Sequence, residues 1–165
     1  MLATKQKGFE SQASYLFLNS GNSFTSNARV WISHTWNNFT YSDFKQLAND
    51  YSGKKLPSVA KHTIAAGADL VIKAGVYLNI TYYYSDPIPL NDANTESASS
   101  YNLLGGRLGW KKETKKKDKF DLFAGIDNAF DITYSLGNDI NAAGGRYYNA
   151  AAGRNFYCGV SLGLF

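Results

Sequence analysis

Hydrophobic and polar residues alternate with a period of two along most of this chain. Over residues 62–72, Ile64, Ala66, Ala68, Leu70 and Ile72 fall on one face and Asp69 on the other. Residues 76–85 set Val76, Leu78, Ile80, Tyr82 and Tyr84 opposite Tyr77, Asn79, Thr81 and Tyr83. Residues 120–134 open in the same way, with Phe120, Leu122, Ala124 and Ile126 against Asp121, Phe123, Gly125 and Asp127. Successive side chains of an extended backbone point to opposite faces, so each of these segments predicts a β-strand. The same reading predicts strands over residues 9–18, 28–41, 101–110 and 156–165, the second of them rich in β-formers such as Val30, Trp31, Ile32 and Thr35. Helix signals are nearly absent; residues 44–49 could form one turn within a loop.

The connections carry as much information as the strands. Short turns at residues 19–23, 73–75 and 111–119 alternate with long polar loops at 42–58, 86–100 and 135–155. The prolines, in Leu56-Pro57-Ser58 and Pro87-Ile88-Pro89, mark loops rather than strand interiors. Loops of about fifteen to twenty residues are uncommon inside compact soluble domains, whereas an outer-membrane barrel has short turns at one rim and long loops at the other. Strands of about ten residues also match the 9–11 that a tilted strand needs to cross the hydrocarbon core. Alternation alone would fit a soluble, carbohydrate-binding sandwich, and a small self-standing outer-membrane barrel acting as adhesin or structural anchor is a further alternative. The expectation is an all-β protein, an antiparallel up-and-down meander of about seven strands forming a wall segment of a transmembrane β-barrel. Trp36, Tyr82, Tyr84, Tyr101, Trp110, Tyr134 and Tyr157 near the predicted strand ends would supply an aromatic girdle at the headgroups.

Composition sharpens this picture. The 165 residues are 44% hydrophobic and only 18% charged, with 12 Tyr, 10 Phe and 3 Trp. Such aromatic content speaks against intrinsic disorder. No stretch approaches the ~20 apolar residues of a membrane-spanning helix, and the polar first ten residues carry no apolar signal-peptide core. The net charge of +4 resides in one turn, because residues 111–119 hold six lysines against Glu113 and Asp118, and the remainder of the chain is balanced. A single charged turn is not a basic face, so no nucleic-acid partner is expected. Contact of that turn with anionic headgroups is a second use for it.

The C-terminal third carries a recognisable pattern. Phe123-Ala124-Gly125-Ile126-Asp127-Asn128-Ala129-Phe130-Asp131, followed by Tyr134, resembles the penultimate strand of TonB-dependent outer-membrane receptors. Gly145-Arg146-Tyr147-Tyr148-Asn149 and Gly153-Arg154-Asn155-Phe156-Tyr157, ahead of a terminal Phe, resemble that family's last loop and last strand. Lys7-Gly8-Phe9-Glu10, and Tyr51-Ser52-Gly53-Lys54-Lys55-Leu56-Pro57 with Lys61-His62, resemble earlier pieces in the same order. The resemblance implies a bacterial cell outer-membrane location and the C-terminal part of a 22-stranded barrel, with residues 1–165 as its last seven strands. It implies an importer rather than an enzyme, working on a ferric siderophore or a similar scarce nutrient. Its partners would be outer-membrane lipid, the small-molecule ligand, and the TonB complex through an N-terminal plug that this stretch does not match. On that reading the seven strands alone would not form a working importer.

Most of the remaining chemistry-bearing residues are expected in ordinary structural roles. Arg146, Tyr147, Tyr148 and Arg154 suit an anionic ligand at the extracellular rim, where the resemblance places them. Asp127 and Asp131 flank Asn128 and are expected to tie a bend at a strand end rather than to act as an acid/base pair. His34 and His62 stand 28 positions apart, each without a second ligand at metal spacing. Asp92, Asn94 and Glu96 alternate in a loop but lack the glycine and twelfth-position glutamate of a calcium loop, so solvation is the expectation. No metal, cofactor or catalytic group is expected. Cys158, the single cysteine, is expected as a small lipid-facing hydrophobe. Phe156, Cys158, Val160, Leu162 and Leu164 share a face, leaving Phe165 one residue out of phase.

Overall fold

The computed structural model describes residues 2–18, 25–114 and 117–164. Thirteen strands occur among them, in the order β1 (Ala3–Leu18), β2 (Thr25–Asp43), β3 (Lys45–Gln46), β4 (Asn49–Asp50), β5 (His62–Ile72), β6 (Val76–Ser85), β7 (Ile88–Pro89), β8 (Ser97–Ala98), β9 (Tyr101–Glu113), β10 (Lys119–Asp127), β11 (Ser135–Asn138), β12 (Tyr148–Ala150) and β13 (Asn155–Gly163). Seven of them form one antiparallel sheet in the order β1-β2-β5-β6-β9-β10-β13, each neighbour in space being the next long strand in sequence. This is the expected meander. The other six pair as three small hairpins, β3-β4, β7-β8 and β11-β12, one within each long loop.

Register sorts the side chains into two faces. Residues directly opposite in an antiparallel ladder share a face, so Val30, Ala68 and Ile80 line up across β2, β5 and β6. Leu108, Ala124 and Cys158 do the same across β9, β10 and β13. This face is apolar and solvent-accessible, with Ile32, Ile80, Leu122, Phe156 and Val160 all exposed. The opposite face carries Arg29, Asp69, Asn79 and Arg107, again in direct register. A compact soluble sheet buries its apolar side; this one presents it.

Several boundaries differ from the sequence expectation. β5 and β6 have the expected limits, but β1 starts at Ala3 and β2 runs to Asp43, so these two continue past the last β5 pair, Trp36↔His62, as a two-stranded ribbon. β10 stops at Asp127 rather than running to residue 134. Asn128 causes the stop. It adopts a left-handed conformation at φ 48°, its side-chain oxygen accepts from the Ile132 N–H at 2.9 Å, and its amide donates to the Ile132 carbonyl at 2.8 Å. Asp131 then accepts from the Arg154 backbone N–H at 2.8 Å, so the expected bend is present with Asn128 as its main clip. Residues 44–49, read as a single turn, form the β3-β4 hairpin around Leu47. The expected turn at 19–23, part of the lysine turn and the phase of Phe165 lie outside the described residues.

The aromatic girdle needs correction. Trp36, Tyr82, Tyr84 and Trp110 share the apolar face, but register puts Tyr101 and Tyr157 on the polar face, and Tyr134 lies beyond the end of β10.

Candidate functional site

One packing device recurs along the polar face. Trp31 stands opposite Gly67, Tyr77 opposite Gly109, and both Phe123 and Tyr157 opposite glycines of the neighbouring strand, Gly159 and Gly125. In each pair the ring lies across the glycine. A β-carbon built on Gly67 would come within 2.5 Å of the Trp31 indole, and on Gly109, Gly125 and Gly159 it would overlap the facing ring. Only a residue without a side chain lets the ring rest on the backbone there.

Charges lie between these rings. Arg29 pairs with Asp69 at 2.8 Å, and the Asn79 amide donates to the same carboxylate at 2.7 Å. Farther along, the Tyr77 hydroxyl donates to Asp121 at 2.9 Å and accepts from Arg107 Nε at 3.1 Å, while Arg107 Nη2 reaches Asp121 at 3.3 Å. The Arg107 guanidinium also stacks on Phe123, 3.5 Å from its ring centroid. The two clusters together span five strands, with Asp69 and Asp121 as their anions, and Lys111 lies 3.9 Å from Asp121 as well.

At the long-loop end the loops fold onto one another. Leu90, fully buried, is the central residue. Its N–H donates to the Glu96 carbonyl and its own carbonyl accepts from Asn141 N–H, both at 2.9 Å. Asp92, read as part of a solvated or cation-touching trio, instead accepts from the Tyr41 hydroxyl at 2.5 Å and from the Asn141 amide at 2.9 Å. Asn94 exchanges two hydrogen bonds with the Lys55 backbone, at 2.7 and 2.9 Å. Among the described residues no group of three or more His, Cys, Asp or Glu side chains is placed to hold a metal ion.

Beneath these loops lies a cavity of about 740 Å³. Its floor is the end of the polar face, through Asn37, Thr63, Tyr83 and Tyr101; its sides come from residues 58–60, 98–100, 133–135 and 137–138, with Tyr148, Ala150 and Ala151 beside them. Tyr101 stacks on Tyr134 with ring centroids 5.0 Å apart, and Tyr83 adjoins Tyr101 at 5.9 Å. The side-chain oxygen of Asn138 is buried here without a hydrogen-bond partner.

Of the four residues singled out as ligand contacts, Tyr148 lines this cavity. Arg146 is exposed and Tyr147 half-buried in the same loop, and neither lines it. Arg154 lies at the loop base, where its Nε donates to the Ala129 carbonyl at 3.1 Å. Sequence reasoning missed Asn138 and the Ser/Thr-rich walls, because such residues read as ordinary loop polarity.

His34 and His62, far apart in sequence, meet on the apolar face with Nε2 and Nδ1 3.0 Å apart. The ring centroids are 5.3 Å apart, which is that distance with one ring radius added at each end, and the planes differ by only 9°. The rings therefore meet edge to edge in a common plane rather than stacking, and one imidazole N–H donates to the other ring.

Comparison with solved structures shows the same wall in larger proteins. The ferric citrate transporter FecA in its unliganded form superposes with a TM-score of 0.79 at 21% identity, over 96% of this chain and 24% of FecA. The siderophore receptor PiuA from Acinetobacter baumannii gives 0.71 at 18% identity, covering 96% and 21% of the two chains. The ferric yersiniabactin uptake receptor FyuA from Yersinia pestis gives 0.69 at 17%, covering 95% and 23%. At these identities the likeness is one of fold, and the chain spans about a quarter of the length of these receptors. The sequence itself matches the family described as "TonB dependent receptor-like, beta-barrel" over residues 3–129. With its meander, its exposed apolar face and this match over most of its length, the chain belongs to the TonB-dependent receptor β-barrel family.

Proposed function

We propose that residues 1–165 are the C-terminal part of the barrel of an outer-membrane importer, one that takes up a ferric siderophore or a similarly scarce nutrient. The family consists of transporters and receptors of the outer membrane rather than enzymes. The observation that carries the reading is the two-faced wall. An exposed, continuous apolar face suits lipid, and a cross-linked polar face suits the interior of a wide barrel. On this reading β1 and β13 pair with further strands of the receptor, since an unpaired backbone edge is costly in hydrocarbon. The loops holding the cavity then face outward from the cell, with Arg146, Tyr147, Tyr148 and Arg154 as candidate contacts for arriving cargo. Coupling to TonB runs through the plug of the complete receptor rather than through these residues.

The test is uptake by cells that carry the receptor containing this chain. Accumulation of a labelled ferric siderophore or other scarce nutrient should require both the receptor and TonB, and the receptor should fractionate with the outer membrane. Uptake that persists without TonB, or recovery of the folded receptor in the soluble fraction, would overturn the proposal.

A further inference from the structure

We propose that the lysine-rich turn between β9 and β10 binds anionic phospholipid headgroups, of the phosphatidylglycerol type, in the leaflet that the short turns face. The proposal rests on the importer reading, which puts that rim at the periplasmic surface of the outer membrane. Residues 111–119 hold six lysines against Glu113 and Asp118, and the remainder of the chain is balanced, so the excess charge of the whole chain sits at one point of one rim. Trp110 marks the depth of that point. It lies on the apolar face, in register with Val76 and Leu122, and its Nε1 donates to the Ala74 carbonyl at 2.9 Å. An apolar ring with a bonded polar tip suits the boundary between hydrocarbon and headgroups. Lys112 follows on the same face, two residues and therefore about 6–7 Å farther along the strand, at the level of the headgroups.

The lysines that face this level have no counter-charge. Lys112 and Lys117 are exposed, and neither forms an ion pair among the described residues. Lys112 Nζ lies 5.9 Å from the Trp110 ring centroid, and its register neighbours are Phe120 and then Leu162. Lys117 is fixed in the turn, its N–H donating to the Thr114 carbonyl at 2.9 Å. Lys73 stands in the adjoining turn, which is tied to this one by the Lys111 N–H donating to the Gly75 carbonyl at 2.8 Å. The carboxylates are engaged elsewhere. Asp121 takes Arg107 and Lys111 on the polar face, Glu113 stands in register with Lys119 on that same face, and Asp118 accepts from the Thr114 hydroxyl at 3.4 Å. A soluble polyanion would match the lysines but leave Trp110, Phe120 and Leu162 uncovered. An anionic phospholipid matches both, its phosphate meeting the cations and its chains the apolar rows.

The experiment uses the receptor containing this chain, purified in detergent and equilibrated with mixed micelles of dioleoyl phosphatidylglycerol and dioleoyl phosphatidylcholine. Retained lipid is counted by mass spectrometry as the phosphatidylglycerol concentration rises, and phosphatidylglycerol should be retained in preference. Each lysine near an anionic surface strengthens binding by roughly fivefold. Allowing for screening by salt, Lys112→Gln with Lys117→Gln should raise the concentration for half-maximal retention by about tenfold. Lys112→Arg with Lys117→Arg, which keeps the charge, should leave it unchanged. So should Lys5→Gln with Lys7→Gln, which removes as much charge from the opposite rim. Each variant must keep the heat-dependent gel mobility of a folded barrel. The proposal is overturned by equal retention in the Lys112/Lys117 glutamine variant, or by an equal loss in the Lys5/Lys7 variant, which would report net charge alone. Binding of purified peptidoglycan that depends on Lys112 and Lys117, with no preference for phosphatidylglycerol, also defeats it. Lipid retention is read without transport, so its failure leaves the importer reading intact, and absence of TonB-dependent uptake defeats that reading alone.

Discussion

Two glycines of β9, three residues apart, are expected to respond to alanine with opposite sign. Gly109 lies under the Tyr77 ring on the polar face, whereas Gly106 lies on the apolar face, where a β-carbon would meet only Asn79 O at 3.8 Å and Ile126 Cγ2 at 4.0 Å. At Gly106, alanine replaces the most flexible residue of a strand without a clash and should stabilise by ~0.5–1 kcal/mol. At Gly109 the same gain is offset by displacement of a ring that is only 5% exposed. Moving the ring pulls its hydroxyl from Asp121 and Arg107, two hydrogen bonds to charged groups worth ~1.5–3 kcal/mol each when buried. Arg107 and Asp121 have side chains 35% and 18% exposed, so water recovers part of that loss. The net expectation is destabilisation by ~2–4 kcal/mol. Urea unfolding of the detergent-solubilised receptor, followed by the mobility of unheated samples on gels, measures both variants. Gly109→Ala should lower the midpoint and Gly106→Ala should hold or raise it. In a Tyr77→Ala background, most of the Gly109→Ala penalty should vanish, because the clash partner is gone. Equal midpoints for the two glycine variants, or an undiminished penalty in the Tyr77→Ala background, would refute the ring-on-glycine account.

Ile80→Arg places a cation on the apolar face near mid-strand and should cost ~2–4 kcal/mol if that face meets lipid at the bilayer midplane; Asn79→Ser, one residue away on the polar face, should cost about 1 kcal/mol for its bond to Asp69. The same unfolding assay reads both, and the reverse ranking would invert the assignment of faces. Cys158 is exposed on the apolar face, so a membrane-permeant, lipid-soluble maleimide should label it in intact membranes faster than a charged maleimide of similar size. Preference for the charged reagent would place β13 the other way round. Asn94→Ala removes both bonds to Lys55 and should accelerate protease cleavage within residues 51–58 several-fold, and an unchanged cleavage rate would show that the bonds do not restrain that loop.

The wall was legible in the sequence because its chemistry repeats. Period-two alternation gave β5 and β6 their limits outright, and the contrast between short and long connections gave the meander. The ends were less legible. Nothing in the pattern of residues 120–134 reveals that the Asn128 side chain would capture Ile132 and end β10 early, since a side-chain clip has no period. The extension of β1 was hidden too, because the start of the chain is polar almost throughout, yet Lys5 and Lys7 are paired strand residues opposite Thr40 and Asn38 of the predicted second strand. Site chemistry was least legible. The His34–His62 contact depends on the register between β2 and β5, and the cavity depends on three loops meeting. Spacing along the chain encodes neither. The basic and aromatic residues Arg146, Tyr147, Tyr148 and Arg154 drew notice because charge and rings are conspicuous, while the uncharged hydroxyls around Asn138 have no local signature.

The interlocking of the loops bears on how the cavity can be entered. Residues 86–100 are bonded on one side to Tyr41, Lys55 and Ser58 and on the other to Asn141. Neither neighbour can swing away without breaking bonds held by this middle loop, and the middle loop cannot lift without releasing both. Small independent excursions are therefore suppressed, and opening becomes a rare event involving all three loops, with a threshold set by the sum of several modest bonds. Amide protons around Leu90 and Asn141 would exchange in step, as one cooperative unit, rather than in a gradient from loop tip to base. Access to the space beneath then depends on how often that unit opens, so a substitution at Asp92 or Asn94 would alter the rate at which a solute enters it.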